Sequence, residues 1–554
     1  MKLKSATGRK LRYGGVTAIL TACIIAVVII VNVIFSALSQ KFLWYADLTP
    51  ELLFTLSDNA IDLLQNGDPE FEDSTSPIGM VDKLRAENPD EELMIRIIFC
   101  DDPDAWTSNT AQRYVYETAK QMEEAFPNHI QVENVNIIWN PSAVSKYAGV
   151  TTKSVVVEFG TEYRVRSLNQ FYVYNTEDTT EEPWAYNGEK ILASAILAVT
   201  RAVSPIACFT TNHDEALYDS ELAMTLEIAG FQVRTLNLAT EEIPANCRLI
   251  VVYNPMKDFM VSDGGITSDI DEIGKLDAFL DGTNSMMVFM SSEVTEPLTN
   301  FEEYLEEWGI SYDRYEEDGA LHPYMVQDTS QSLTVDGHTV KADYVTQGTG
   351  GSLTKDLRAR SNTPPSVIFK NAMTISYSEQ YAPTHYTDEE DKSISFDFGS
   401  YGADGTYRSI YDVFVTSENA VANANGKVVE KSTAQNPLKL MTVTVENRNT
   451  SEDNYGYSSI NEASYVIACG SPEFASQKFL QSNAYGNSAF LEYALRIIGQ
   501  EPVPVGLTFK PFGDDTIDTV TTAEATQYTV VLTVVPAVLA LGAGIIVIVR
   551  RKNR

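Results

Sequence analysis

Two long apolar runs, one near each end of the chain, set the frame within which everything else must fold. Residues 16–38 form a run of 23 without a charged side chain, in which Asn32 is the one strongly polar position. Residues 528–549 form a second run of 22, broken by Pro536, Gly542 and Gly544. At about 1.5 Å rise per residue, a helix over either run spans a hydrocarbon core of about 30 Å. Lys2, Lys4, Arg9, Lys10 and Arg12 precede the first run, and Arg550, Arg551, Lys552 and Arg554 follow the second. Basic flanks stay on the cytoplasmic side. The pattern therefore predicts transmembrane helices over 16–38 and 528–549, cytoplasmic basic tails over 1–15 and 550–554, and a main domain outside the cytoplasm. The first run is longer than the apolar core of a cleaved signal peptide, so it reads as a retained anchor. Pro536, Gly542 and Gly544 read as membrane-packing positions, because small residues let helices approach closely in a bilayer.

Charge narrows the partners. Of the 40 Lys and Arg, ten lie in 1–41 and 550–554, which leaves 30 against all 76 acids in 42–527, a formal net charge of −46. Such a surface repels nucleic acid and anionic lipid, so no nucleic-acid partner is expected. The five cysteines point to no chemistry. Cys23 lies in the first apolar run, while Cys100, Cys208, Cys247 and Cys469 each end or adjoin a short apolar run that reads as buried strand. None has CxxC or metal-ligand spacing, so neither a metal nor a cofactor is expected.

The stretch between the apolar runs is long enough for two or three domains. Over 39–185, Ser57 is a plausible N-cap for a short helix at 58–64, and most of 66–89 reads as loop. A strand over 93–100, a helix over 110–126, a strand over 130–138 and a hairpin over 154–168 follow in the order of a thioredoxin-like α/β domain. It lacks a redox CxxC. Over 186–500, strands alternate with helices, which predicts a doubly wound parallel sheet. An irregular, turn-rich insertion is expected near 311–435, with Gly348-Thr349-Gly350-Gly351-Ser352 as a flexible loop inside it. A polar linker, 501–527, leads to the second apolar run. The fold class is thus α/β, with two such domains between two membrane-spanning helices.

In a doubly wound sheet, ligands bind at the carboxyl ends of the strands. Two turns occupy such positions. Asn212-His213-Asp214-Glu215 follows a strand over 206–210, and Gly470-Ser471 follows a strand over 464–469. A histidine beside two carboxylates can serve as base or ligand, yet acids also cap helices, and HExxH is absent. Gly470-Ser471 can offer backbone N–H groups to an anion but lacks a phosphate-loop pattern, and neither GxSxG nor a Walker A motif occurs. Two alternatives stay open beside a non-enzymatic interaction subunit. One is an extracytoplasmic hydrolase using His213, Asp214 and Glu215. The other is a carbohydrate- or peptide-binding surface protein, consistent with the 28 tyrosines.

Several motifs recur in the order of one known family. Asp47-Leu48-Thr49-Pro50-Glu51 through Phe54-Thr55-Leu56-Ser57, Asn187-Gly188-Glu189-Lys190, Phe209 through Glu215, residues 464–474, 487–499 and 536–551 together resemble the gliding-motility auxiliary (GldG-like) component of ABC transporters. Asn212 and Asp214 stand where that family usually has glycine. The resemblance implies a non-ATPase subunit of an ABC transport system, partnered by a permease and an ATPase at the membrane, with substrate unspecified. It also implies a second domain similar in fold to glutamine amidotransferases, here without their nucleophile.

Overall fold

The helix Gly188–Thr200 has no exposed face: all thirteen of its residues are buried. Its sequence is apolar on every side after the first turn, and such a helix must lie inside a core. Two sheets and several helices assemble around it. The computed structural model describes residues 52–512 apart from 69–75, 175–181, 216–219, 263–268, 379–383, 388–393, 402–406, 450–460 and stretches of up to three residues elsewhere, and beyond them residues 23, 25–34, 47, 49, 538, 542, 549 and 550.

The first unit runs α1 (Asp58–Asn66), α2 (Pro77–Glu87), β1 (Ile95–Phe99), α3 (Pro103–Ser108), α4 (Thr110–Ala125), β2 (Ile130–Asn134), β3 (Ser154–Phe159) and β4 (Glu162–Ser167), and then α5, the buried helix Gly188–Thr200. The strands lie in the order β2-β1-β3-β4, with β1 parallel to β2 and antiparallel to β3. Strand, helix, strand, hairpin is the order read from the sequence. Val115, Ala119 and Met122 form the buried stripe of α4 at the spacing a helix requires. They join Ile95, Ile97 and Phe99 of β1 and the apolar residues of α5 in one core. Most of α2 falls where a loop was expected. Ser76 caps it through the Gly79 N–H, and Pro77 starts it, a pairing that favours helix initiation despite the polar surroundings.

The Asp47–Ser57 and Asn187–Lys190 motifs meet. Asp47 accepts from the backbone of Thr49 and Phe54 and from the hydroxyls of Thr49 and Thr55, and these bonds outweigh its partial burial and hold its carboxyl below the usual value. Ser57 caps α1 and donates its hydroxyl to Glu189 at 2.6 Å, and Lys510 also pairs with Glu189. Lys190, the next residue, pairs with Glu492 in the second unit, both side chains being buried.

The second unit contains β5 (Ile206–Thr210), α6 (Ser220–Ile228), β6 (Gln232–Leu236), β7 (Cys247–Tyr253), α7 (Glu272–Asp281), β8 (Ser285–Phe289), α8 (Thr299–Glu307), β9 (Thr339–Tyr344), α9 (Gly348–Ala359), β10 (Val367–Lys370), β11 (Tyr407–Val415), β12 (Lys439–Asn449), β13 (Asn461–Cys469), α10 (Gln477–Leu480) and α11 (Asn487–Ile498). The main sheet has the order β10-β9-β11-β12-β13-β8-β7-β5-β6. From β6 to β13 it is parallel, and from β13 to β10 every pairing is antiparallel. The sheet is therefore doubly wound over one half only.

This corrects two expectations. The described part of 311–435 is not irregular: it supplies β9, β10 and β11, which extend the sheet. These short, antiparallel strands carry charged residues whose partners lie far off in sequence, so no apolar period marks them. The Gly348–Ser352 run is not a flexible loop but the first turn of α9. A Cβ on Gly350 would stand 1.9 Å from the Asp412 carbonyl oxygen, so glycine lets the helix sit directly on β11.

The predicted membrane topology is corrected as well. No helix among the described residues is long and apolar enough to cross a membrane. In the first apolar run, the described residues 25–34 are helical. In the second, most residues, Pro536 and Gly544 among them, lie outside the described ones. The two-span, double-anchored arrangement, the extracytoplasmic placement that follows from it and the packing of its spans against a permease therefore have no support among the described residues. Cys100, Cys208, Cys247 and Cys469 are buried free thiols, and that of Cys247 on β7 donates to the Leu249 carbonyl at 3.5 Å.

Candidate functional site

The chain leaves β5 for the edge strand β6 and returns to β7 on the other side, so the crevice between the ends of β5 and β7 is the switch point where doubly wound sheets bind ligands. The Asn212–Glu215 turn stands there. Asn212 and Asp214 have φ of 92° and 52°, a left-handed region that Asn and Asp enter at lower cost than other residues with a side chain. The tight double turn drives His213 inward to 2% exposure.

The ring is then fully engaged. His213 Nδ1 lies 2.8 Å from Glu215 Oε1 and Nε2 lies 3.1 Å from Glu272 Oε2 at the start of α7. The imidazole stacks on Phe259 with centroids 3.7 Å apart. Its carbonyl accepts from the N–H groups of Met256 and Lys257, and Glu215 also accepts the His213 N–H at 2.7 Å. Burial alone would lower the His213 pKa, but the two carboxylate hydrogen bonds and their charges prevail and raise it to about 9. Glu215 is held below the ordinary glutamate value: burial opposes this, and the bond to His213 overrides it. An imidazolium with both N–H groups donated has no lone pair to act as base or ligand. Asp214 points outward and pairs with exposed Lys257, a contact of little energetic weight. The turn is a clamp that joins the loops after β5 and β7 to the head of α7.

The clamp has a pH signature. The folded-state pKa lies above the free-imidazole value, so the stabilisation is complete below about pH 6.5 and disappears as pH rises through about 9, with a span on the order of 2 kcal/mol. Urea denaturation across that range should show this loss in the wild type and a flat profile in H213Q. Equal slopes in both proteins would remove the clamp.

Gly470 and Ser471 are likewise absorbed by structure. Ser471 is fully buried and donates to the Lys370 carbonyl at 2.5 Å, and the Gly470 carbonyl accepts the Met373 N–H. A Cβ on Gly470 would meet Met373 O at 2.0 Å, so the glycine marks a close strand approach, not an anion loop.

The next residues belong to a different feature. A cleft of about 950 Å³ opens where the end of the first sheet faces the carboxyl ends of β7, β8 and β13. The second unit contributes Tyr253 and Asn254 after β7, Ser291, Ser292 and Glu293 after β8, and Pro472 and Glu473 after β13. The first unit contributes Gln170, Tyr172 and Tyr174, and α5 supplies Asn187 at its N-cap. Gln481 spans the cleft wall: it donates to Glu221 at 2.6 Å and accepts the Tyr174 N–H at 3.1 Å. Asn254 and Asn371 turn the chain off β7 and β10 with φ of 58° and 51°. Asn371 orients Glu473 by a 2.9 Å bond, and Asn254 Oδ1 is buried without a partner.

None of Asn212, His213, Asp214, Glu215, Gly470 and Ser471 lines this cleft. The sequence reading applied the strand-end rule to two turns that the fold uses internally. It passed over the strand ends at Tyr253-Asn254-Pro255 and Ser291-Ser292-Glu293, where polar residues directly after an apolar strand carried the signal. Among the described residues, no cluster of three or more His, Cys, Asp or Glu is arranged to hold a metal ion.

No protein-family model matches the chain, and no curated protein matches it. Among solved structures, the structure of PurLQS from Thermotoga maritima is similar over 53% of this chain and 100% of the matched chain, with 10% identity and a TM-score of 0.24. A likeness of that size supports neither fold nor function.

Proposed function

We propose that the chain is a non-enzymatic recognition subunit that captures a polar ligand in the cleft between its two α/β units. The observation that carries this reading is the cleft itself. It has the size of a ligand site, stands at the carboxyl ends of parallel strands, and is lined by amides, hydroxyls and carboxylates. No histidine, lysine or cysteine is among its lining residues, so its serines have no neighbouring imidazole or amine to activate them. The hydrolase reading is disfavoured by the engagement of both His213 ring nitrogens. The motif resemblance supplies the partners within this proposal: an auxiliary, non-ATPase subunit that hands its ligand to, or receives it from, an ABC permease and ATPase.

A thermal-shift screen of sugars, amines and peptides tests the reading, with S292W as a variant that fills the cleft mouth. A ligand at 100 times its Kd should stabilise the wild type by about 2.7 kcal/mol and leave S292W unmoved. Turnover of a hit by the wild type would make the cleft an active site, and the absence of hits would remove the binding role. The tagged full-length chain should also co-purify with a permease and an ATPase. Recovery of the chain alone, where known complexes survive, would remove that partnership.

A further inference from the structure

The cleft is rich in acceptors and poor in positive charge. Glu221, Glu293 and Glu473 line it, and no lysine, arginine or histidine is among its lining residues. Gln481 donates to Glu221 at 2.6 Å and Asn371 donates to Glu473 at 2.9 Å, neutral amides that orient the two carboxylates. Lys370 approaches Glu473 only to 3.8 Å and is not part of the lining.

A second observation points the same way. Asn187, a lining residue only 7% exposed, caps nothing with its side chain, and its Oδ1 has no hydrogen-bond partner. Asn254 Oδ1, on the opposite wall, is also buried without a donor. Buried acceptors left unpaired are costly, and a ligand that brings N–H or O–H groups relieves them. Tyr172, Tyr174, Tyr253 and Phe509 complete the walls with ring surface suited to cations and to sugar faces.

We infer that the cleft's ligand is a small molecule bearing primary ammonium groups, of the amino-sugar or polyamine class. This rests on the binding role proposed above and specifies it. The ammonium group meets the carboxylates as charge-assisted donors, and further N–H or O–H groups satisfy the asparagine oxygens. The volume of about 950 Å³ admits an oligomer of several rings.

Isothermal titration of the full chain separates the possibilities. The probes are a glucosamine tetramer, its fully N-acetylated counterpart, spermidine, a neutral glucose tetramer and an oligogalacturonate. Acetylation keeps the shape of the tetramer and removes its charge. The glucosamine tetramer or spermidine should bind at least tenfold tighter than the acetylated tetramer, and less tightly as salt is raised. Whichever of the two binds identifies the source of the ammonium group. E293Q/E473Q should lose at least tenfold in affinity while melting like the wild type. Glu293 is exposed, so E293Q alone, losing several-fold, keeps the test intact if the double variant fails to fold. Equal or tighter binding of the acetylated, neutral or anionic probe would overturn the ligand class and leave the binding role standing. No binding of any probe would overturn both.

Discussion

Replacing Lys190 with methionine is expected to destabilise the protein by about 3–5 kcal/mol, because it breaks a buried ion pair at the joint between the two units. The ammonium group of Lys190 pairs with Glu492 on α11, and the two residues are 5% and 2% exposed. Ser488 also donates to Glu492 at 3.2 Å, and the ammonium lies 5.7 Å from the Phe509 ring centroid. Removing Lys190 strands a carboxylate in a site from which water is largely excluded. The cost is then set by the desolvation of Glu492, not by the modest net worth of the pair. K190M/E492L, which replaces both charges with apolar groups of similar length, should recover most of the loss. Thermal melts followed by circular dichroism read this as a fall in Tm of roughly 3–5 °C for K190M and a much smaller one for the double variant. A K190M protein that melts like the wild type would mean that the joint is not held by this pair.

The same joint shows what the sequence made legible. Asn187-Gly188-Glu189-Lys190 stood out as a motif, and the nearly unbroken apolar residues after it are what bury α5 on every side. The first unit was equally readable, because β1, α4, β2 and the β3–β4 hairpin each carry a local period and local turn residues. What Glu189 and Lys190 bind was not readable. Ser57, Lys510 and Glu492 lie 132, 321 and 302 residues away in sequence, and no period encodes such contacts. The cleft was hidden for the same reason. Its residues come from strand ends and loops that only the folded sheet brings together, while His213, the most conspicuous polar residue, is consumed as a clamp. The membrane-spanning reading of the apolar end runs is not upheld: no helix among the described residues is long and apolar enough to cross a membrane.

The antiparallel half of the sheet, where β9 to β11 fall in the stretch expected to be an irregular insertion, should be almost as sensitive as the joint. Arg408 on β11 and Glu446 on β12 are directly opposed across the ladder, with Nε 2.6 Å from Oε2. Glu446 is 0% exposed. The guanidinium also donates to the Glu307 carbonyl at 3.2 Å and lies 4.3 Å above the Trp308 ring, so it ties the end of α8 to the sheet. Arg408→Met removes all three contacts and leaves the Glu446 carboxylate buried without its guanidinium, for an expected loss of about 3–4 kcal/mol. Arg408→Lys keeps the charge but not the planar fork or the ring stack, and should recover only about 1 kcal/mol of it. Urea denaturation measures both. If R408K were as stable as the wild type, charge alone would account for the site. If R408M were as stable, the pair would be a passive consequence of strand register. Only the second result would contradict the view that a buried charged residue is what locks β11 against β12 and hides this strand from any reading of its sequence.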